Sequence, residues 1–320
     1  MEVLPLIKGL LSLLLPAEYL WLGGEAAVTE FWGKGSSAAY YYGVWLKHLT
    51  LSMEAGMGFP RAMAEIGPGD SLGVGIAALL SGVSTYHAFD VMFVDSPDAD
   101  VAMVPTLAAI MAGGTLRPKK GWPDYDHLLE GGSLPPEILA RLPSRASLTA
   151  NLIAEIVSKL KEPVDSSEGL KRSWRTGEPP GGTNGMDGSY DFLMSHSVLE
   201  YVSDLDSCFA RCRSMLRSGG WMSHQIDLTS LGITTHWNGH LAYPDRLWRI
   251  ACGRRRFVPN RKLASDYIRS AEANGFHVVK TFVLESERLP TNVAPSPQFK
   301  ERTPQDLSTR GLFVIAQKAN

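Results

Sequence analysis

Cysteine is scarce in this sequence. Cys208, Cys212 and Cys252 are the only three. An odd count without a C-x-x-C pair excludes a disulfide framework and a cysteine-based zinc site. Reduced thiols in a cytoplasmic protein are the expectation, with Cys208 and Cys212 as neighbours on one helix face. Excess charge is also missing: 31 basic residues face 33 acidic ones, for a formal net charge of −2. Nothing electrostatic therefore calls for a nucleic-acid partner. One local basic run, Arg254, Arg255 and Arg256 with Arg261 and Lys262 nearby, reads as a solvated surface cluster, the alternative being an anion site. A long uncharged apolar run is lacking too. Met1 to Trp21 is apolar, yet Lys8 and Glu18 bracket its leucine-rich centre, which falls short of the ~20 residues a membrane span needs. Glu2 and the want of a small-x-small site count against a signal peptide. The expectation is a helix packed on the domain, with weak membrane-surface association as the alternative.

What is present is ordinary globular material: 320 residues, 44% apolar and 20% charged. That suffices for one large α/β domain with insertions or for two small domains. Ala39 to Met53 mixes aromatics and leucines at helical spacing. Arg61 to Ile66 is a short apolar run closed by Gly67-Pro68-Gly69. Leu72 to Leu80 is a helical segment closed by Gly82, and Thr85 to Val94 reads as a second strand. Strand, glycine turn, helix and strand in this order predict a βαβ unit with parallel strands.

Asp95 to Gly188 carries helical patches at Val101 to Met111 and Leu148 to Leu160, and an exposed loop at Gly177 to Gly188. A parallel sheet needs another strand here, and no residue pattern places it. Regularity returns with a strand at Tyr190 to Ser195 and a helix that Asp204 caps, running to Leu216. Gly219-Gly220 ends that helix before a strand at Trp221 to Leu228. A helix at Leu263 to Ala273 stops at Asn274-Gly275, and strands follow at Phe276 to Leu284 and Leu312 to Gln317.

The loop Glu65-Ile66-Gly67-Pro68-Gly69-Asp70-Ser71 leaves a strand and opens a helix, and Asp90 lies at the end of the next strand. Glycines let the chain turn and a ligand approach without meeting a Cβ. A carboxylate at the position of Asp90 accepts hydrogen bonds from both ribose hydroxyls of an adenosine ligand. Two adenosine ligands fit that description. The dinucleotide pattern needs glycine at position 72, which is Leu72. A pyrophosphate is also repelled by Glu65 and Asp70, whereas a sulfonium and an ammonium are attracted. The charges favour the methyl donor.

Glu65 to Asp70 resembles motif I of class I, Rossmann-like S-adenosylmethionine-dependent methyltransferases. Tyr190 to Val202, with the turn Leu216 to Gly220, resembles their fourth-strand segment, and the closing strand pair resembles their antiparallel end. The resemblance implies an α/β fold with a mostly parallel sheet, helices on both faces, an antiparallel last strand and a helical cap or insertion. It implies an N-terminal helical segment at 1–56, a methyltransferase domain at 57–320 and the insertion at about 95–188. Implied roles are Glu65 and Asp70 toward the methionine amine or its waters, Gly67 and Gly69 along methionine and ribose, and Asp90 on the ribose hydroxyls. Val91 would lie against the adenine, and Ser195 and His196 at the mouth of the fourth strand. Ser71 stands where the family has its third glycine and joins the donor-binding set. Asp187 is a weak substitute for the adenine-amino partner.

The implied activity is methyl transfer to a small-molecule or sugar acceptor, on oxygen or nitrogen. His196, His224 and Asp227 are the candidates for acid–base work on a hydroxyl, since histidine titrates near neutrality. As core or capping residues, His196 and His224 would have no such part. Asp227 with His236 and His240 lacks a metal-ligand pattern, and no metal is expected. The long irregular link from Thr229 to Pro259 suits a lid or acceptor pocket. One rival is an NAD(P)-dependent sugar-modifying enzyme of the short-chain type, but no tyrosine has lysine four residues on. The other is a methyltransferase-like binding module without turnover.

Overall fold

The computed structural model describes residues 1–14, 37–91, 97–113, 122–125, 150–161, 170–174, 186–255, 257–286 and 294–319. Helix α1 (Leu4–Leu14) is followed by α2 (Ala38–Glu54), which Ser37 caps by accepting from the Tyr40 N–H. The expected βαβ unit is β1 (Ala62–Ile66), α3 (Gly73–Leu80) and β2 (Thr85–Asp90). Then come α4 (Pro97–Gly113), α5 (Ala150–Lys161), β3 (Leu170–Trp174) and β4 (Tyr190–His196). The rest is α6 (Leu205–Met215), β5 (Leu216–Asp227), α7 (Asp245–Cys252), α8 (Ala264–Ala273), β6 (Phe276–Glu285), α9 (Pro304–Ser308) and β7 (Thr309–Lys318).

These strands form one seven-stranded sheet in the order β3-β2-β1-β4-β5-β7-β6. The first five in that order run parallel, and β7 pairs antiparallel with both β5 and β6. The strand that no pattern had placed is β3, paired in parallel with β2 at the sheet edge. Helices α4 and α5 therefore belong to the crossover from β2 to β3. The loop expected at Gly177 to Gly188 lies largely outside the described residues.

One boundary differs from expectation in an informative way. The Leu216 to Gly220 turn is part of β5, not a break before it. Gly219 takes φ +70°, and the pairing with β4 shifts between Tyr190 and Phe192. The glycine bulges the strand, so pairing continues through what reads as a stop.

Strand parity divides the core. Phe192 and Met194 of β4 and Phe313 and Ile315 of β7 join Trp45, Leu49, Ile76 and Tyr86 under α2, α3, α4 and α5. Leu193, Met222, Leu312 and Val314 join Phe209, Tyr267 and Phe276 under α6 and α8. Both sheet faces are thus covered, as a parallel sheet requires. Ligands of such sheets bind beyond the carboxyl ends of the strands. Here those ends are Ile66, Asp90, His196 and Asp227.

Candidate functional site

At the end of β1 the chain turns through two left-handed glycines, Gly67 and Gly69, each at φ +71°. The Gly67 N–H donates to the Phe89 carbonyl at 2.7 Å, and the Gly69 N–H donates to Asp90 Oδ2 at 3.0 Å. The loop is therefore tied to the end of β2, and Asp90 helps hold it. The two glycines differ in surroundings. A Cβ on Gly67 would lie 2.3 Å from Val198 Cγ2, whereas a Cβ on Gly69 would meet nothing within 4 Å. Gly67 is needed for packing, and Gly69 keeps an open approach to the backbone.

Carboxylates line this approach. Glu65 is buried and accepts from the Tyr86 hydroxyl at 2.6 Å. Burial, aided by the Asp90 charge, pushes its carboxyl up to about 7, although the Tyr86 bond opposes the rise. Asp70 is exposed at the loop tip, and Val91 presents an exposed side chain just past β2. Ser71 turns elsewhere: its hydroxyl donates to Asp100 Oδ1 at 2.7 Å and accepts from the Gly73 N–H. Asp100 also accepts from the Leu72 N–H. Ser71 and Asp100 together satisfy the amino end of α3, which otherwise lacks a capping side chain. Gly73, at the start of α3, serves helix packing, because a Cβ there would fall 2.3 Å from the Tyr41 ring.

That contact seats the start of α2 over the glycine loop. The charges of Glu65 and Asp70 reach Tyr40 and, after burial, are what raise its hydroxyl. Open backbone at Gly69, carboxylates for cationic groups, Asp90 and an exposed apolar Val91 fit an S-adenosylmethionine-like ligand.

Beyond the loop, parity sorts the histidines. His196 faces α2. Its Nδ1 lies 3.2 Å from His48 Nε2, and His48 Nδ1 lies 2.8 Å from the Ser223 hydroxyl. Next to them Lys47 Nζ donates to Gln225 Oε1 at 2.9 Å and to the Trp122 carbonyl at 3.0 Å. Burial holds Lys47 down at about 8. Burial and then the Lys47 charge hold His196 well below the ordinary histidine value. His196 is only partly buried, its ring edge-on to Tyr40.

His224 faces the opposite layer. Its Nδ1 is paired with the Ser195 hydroxyl at 2.7 Å, its ring packs on Phe209, and its Nε2 is buried without a partner. Burial drives it down to about 3. Ser195 and His224 thus meet each other under α6, and the structure does not bring His224 to His196. Asp227, at the end of β5, accepts from the Thr229 N–H at 2.7 Å and starts the following link. Nearby Glu200 is buried, with both carboxyl oxygens unpartnered, and burial followed by the Asp227 charge raises it well above the carboxylate range. Among the other singled-out residues, Asp187 pairs with Arg211 on the surface. Arg261 is buried and fixes the link through Asp245 and the carbonyls of His240 and Tyr243. Among the described residues no group of three or more His, Cys, Asp or Glu could hold a metal ion.

Lys47, His48, Tyr40 and Glu200 were not singled out from the sequence. A signal existed for the first two: an adjacent Lys-His pair inside an aromatic, otherwise apolar helix.

A family model described as a methyltransferase domain matches residues 184–223. No curated protein matches the chain. Among solved structures, an S-adenosylmethionine-dependent methyltransferase from Mesorhizobium loti is similar at 13% identity, over 82% of this chain and 92% of that one, with TM-score 0.39. A SAM-dependent methyltransferase from Methanosarcina mazei is similar at 11% identity, over 83% and 96%, with TM-score 0.42. The CurJ carbon methyltransferase is similar at 14%, over 99% of this chain and 67% of that one, with TM-score 0.44. The family match runs through β4, α6 and the first part of β5, where the sequence itself resembled that family. Over residues 184–223, beside the strand that carries the glycine loop, the chain is thus similar to a methyltransferase domain.

Proposed function

We propose that this chain methylates a hydroxyl of a small-molecule or sugar acceptor, with His196 as the base. One observation carries the choice of residue. His196 stands at the carboxyl end of β4, two strands from Asp90, and its Nδ1 faces His48 Nε2 at 3.2 Å. Nε2 has no hydrogen-bond partner among the described residues. Burial, and then the Lys47 charge, shift the ring toward its neutral form, which leaves a lone pair on Nε2 for a proton. His48 and Ser223 fix the ring through Nδ1. His224 lies on the other face of the sheet and is left out of this reading.

The donor, when bound, supplies an electrophilic methyl group, and transfer needs the acceptor in line with it. Donor binding falls to Asp90 on the ribose hydroxyls, to the Gly67–Gly69 backbone, and to Glu65 and Asp70 near the amine, with Val91 beneath the adenine.

The test compares single variants against a panel of sugars and small hydroxylated molecules, with S-adenosylhomocysteine release as readout. His196→Ala loses roughly 100-fold or more in turnover while S-adenosylhomocysteine binding stays near wild type. Turnover at the wild-type rate in His196→Ala would remove the base assignment.

A further inference from the structure

Helix α1 has two unlike faces. One is docked on α7. Pro5 and Gly9 are buried there, and a Cβ on Gly9 would fall 1.8 Å from the Ile250 carbonyl oxygen. Gly253 is equally tight, with Ser12 Oγ at 2.0 Å from its would-be Cβ. Leu6 packs with Leu247 on the small core around Tyr243 and Trp248. Glu2 accepts from the Thr235 and His236 N–H groups, and its carbonyl accepts from the Tyr243 hydroxyl. Arg254 donates to the Leu13 carbonyl at the far end. This face is a fitted joint, so the helix has a fixed orientation.

The opposite face is apolar and, among the described residues, open. Val3, Leu4, Ile7, Leu10, Leu11 and Leu14 recur at spacings of three and four, which places them on one side of the helix. Each is between 48% and 72% exposed. A contiguous apolar stripe of this kind on a soluble surface marks an interaction site. The elements that carry this face are basic: Lys8 lies on α1 itself, Arg254 bonds to the end of α1, and Arg246, Arg249 and Arg255 lie on or just past the helix it docks on, all of them exposed. The exposed acid of α7, Asp245, is engaged by Arg261.

We propose that this face of α1 docks on an anionic lipid surface, its leucines among the acyl chains and the basic rim among the headgroups. Length agrees with a helix lying in the interface. Its 11 residues span about 16 Å, half of a hydrocarbon core. No described helix is long and apolar enough to cross a membrane. A second copy of the chain is the competing occupant, and the basic rim speaks against it, since two such faces would bring like charges together. The inference is independent of the base assignment.

The full chain is sedimented with vesicles of phosphatidylcholine alone and of phosphatidylcholine with phosphatidylglycerol. The wild type pellets with the anionic vesicles, less at high salt, and weakly with the neutral ones. Ile7→Glu with Leu11→Glu abolishes binding. Arg246→Glu with Arg249→Glu, which leaves α1 itself intact, lowers anionic binding at least about tenfold. Thermal midpoint and S-adenosylhomocysteine affinity serve as controls and stay near wild type in both. A wild type that remains in the supernatant with both vesicles overturns the proposal. So does a wild-type dimer by light scattering that Ile7→Glu with Leu11→Glu returns to monomer, since the face then belongs to a second copy.

Discussion

His196 Nδ1 and His48 Nε2 face each other at 3.2 Å, across a gap of 148 residues in the chain. Only one of two facing ring nitrogens carries the shared proton, so the pair fixes both tautomers together. Ser223 holds the far side of His48. The proposed base is therefore oriented by a residue on a different element, through one hydrogen bond.

Loss of that orientation has a defined signature. His48→Phe keeps the ring volume against Phe313 and removes the bond to His196. Turnover is expected to fall by roughly 10-fold or more, with S-adenosylhomocysteine affinity near wild type. His48→Gln, whose amide is able to reach Nδ1, restores part of the rate. Equal rates in wild type and His48→Phe would show that His48 is packing alone.

Lys47 adds to the effect of burial on the charge state of the pair. Burial lowers both rings first; the Lys47 ammonium comes next for His196, and for His48 it follows the neighbouring His196. Removing the ammonium relieves its part of that depression, so the histidines hold a proton at higher pH. In Lys47→Met the His196 imidazole titrates at higher pH than in the wild type by NMR, and the acid limb of turnover moves the same way. Gln225 and the Trp122 carbonyl lose their donor, so the thermal midpoint also drops. An unmoved imidazole titration would refute the electrostatic part of this account.

Under the proposed donor site, Glu65 couples donor binding to pH. Its folded value, about 7, lies above the ordinary 4.5. The stability it contributes is thus full below the unfolded value and is lost as pH rises through 7. By that difference, ionising Glu65 costs the empty protein on the order of 3 kcal/mol at pH 8. Glu65→Gln removes the cost, so the empty variant loses less stability than the wild type between pH 5 and pH 8. The same variant weakens S-adenosylhomocysteine binding at pH 8, where the wild type offers a carboxylate to the ammonium. Denaturant titrations and calorimetry at the two pH values check both halves.

The two loop glycines and Asp90 separate structure from binding. Gly67→Val meets Val198 and a positive φ together, and is expected to lower the thermal midpoint strongly. Gly69→Ala meets only the φ strain, roughly 1 kcal/mol, yet places a methyl on the open approach. Its fold persists while donor affinity falls. Asp90→Ala weakens S-adenosylhomocysteine binding by about 2–3 kcal/mol. Calorimetry on a folded Gly69→Ala protein that bound like wild type would show that the donor does not pass over Gly69.

Local sequence determined the βαβ unit, because its signals act over a few residues. Apolar strands, two glycines that accept left-handed backbone, and an acidic residue ending the next strand are all written in one stretch. Parity along a strand was equally legible: Ser195 and His196 had to point to opposite layers. Which layer holds what was decided by tertiary structure. The β5 register carried His224 to Ser195 and Ser223 toward α2, and only the docking of α2 brought Lys47 and His48 to His196. In sequence those two are an adjacent Lys-His pair on a largely apolar helix, and their partners lie far along the chain. Strand β3 was hidden for a related reason. Leu170-Lys-Arg-Ser-Trp174 is short and polar, with no periodicity of its own, and it is a strand because the edge of β2 offers its backbone hydrogen bonds. Ser71 made the same point in reverse. Its place in the glycine motif suggested the donor, but Asp100 from α4 drew its hydroxyl into the cap of α3. A side chain's neighbours in space, which sequence spacing does not encode, decided what that hydroxyl does.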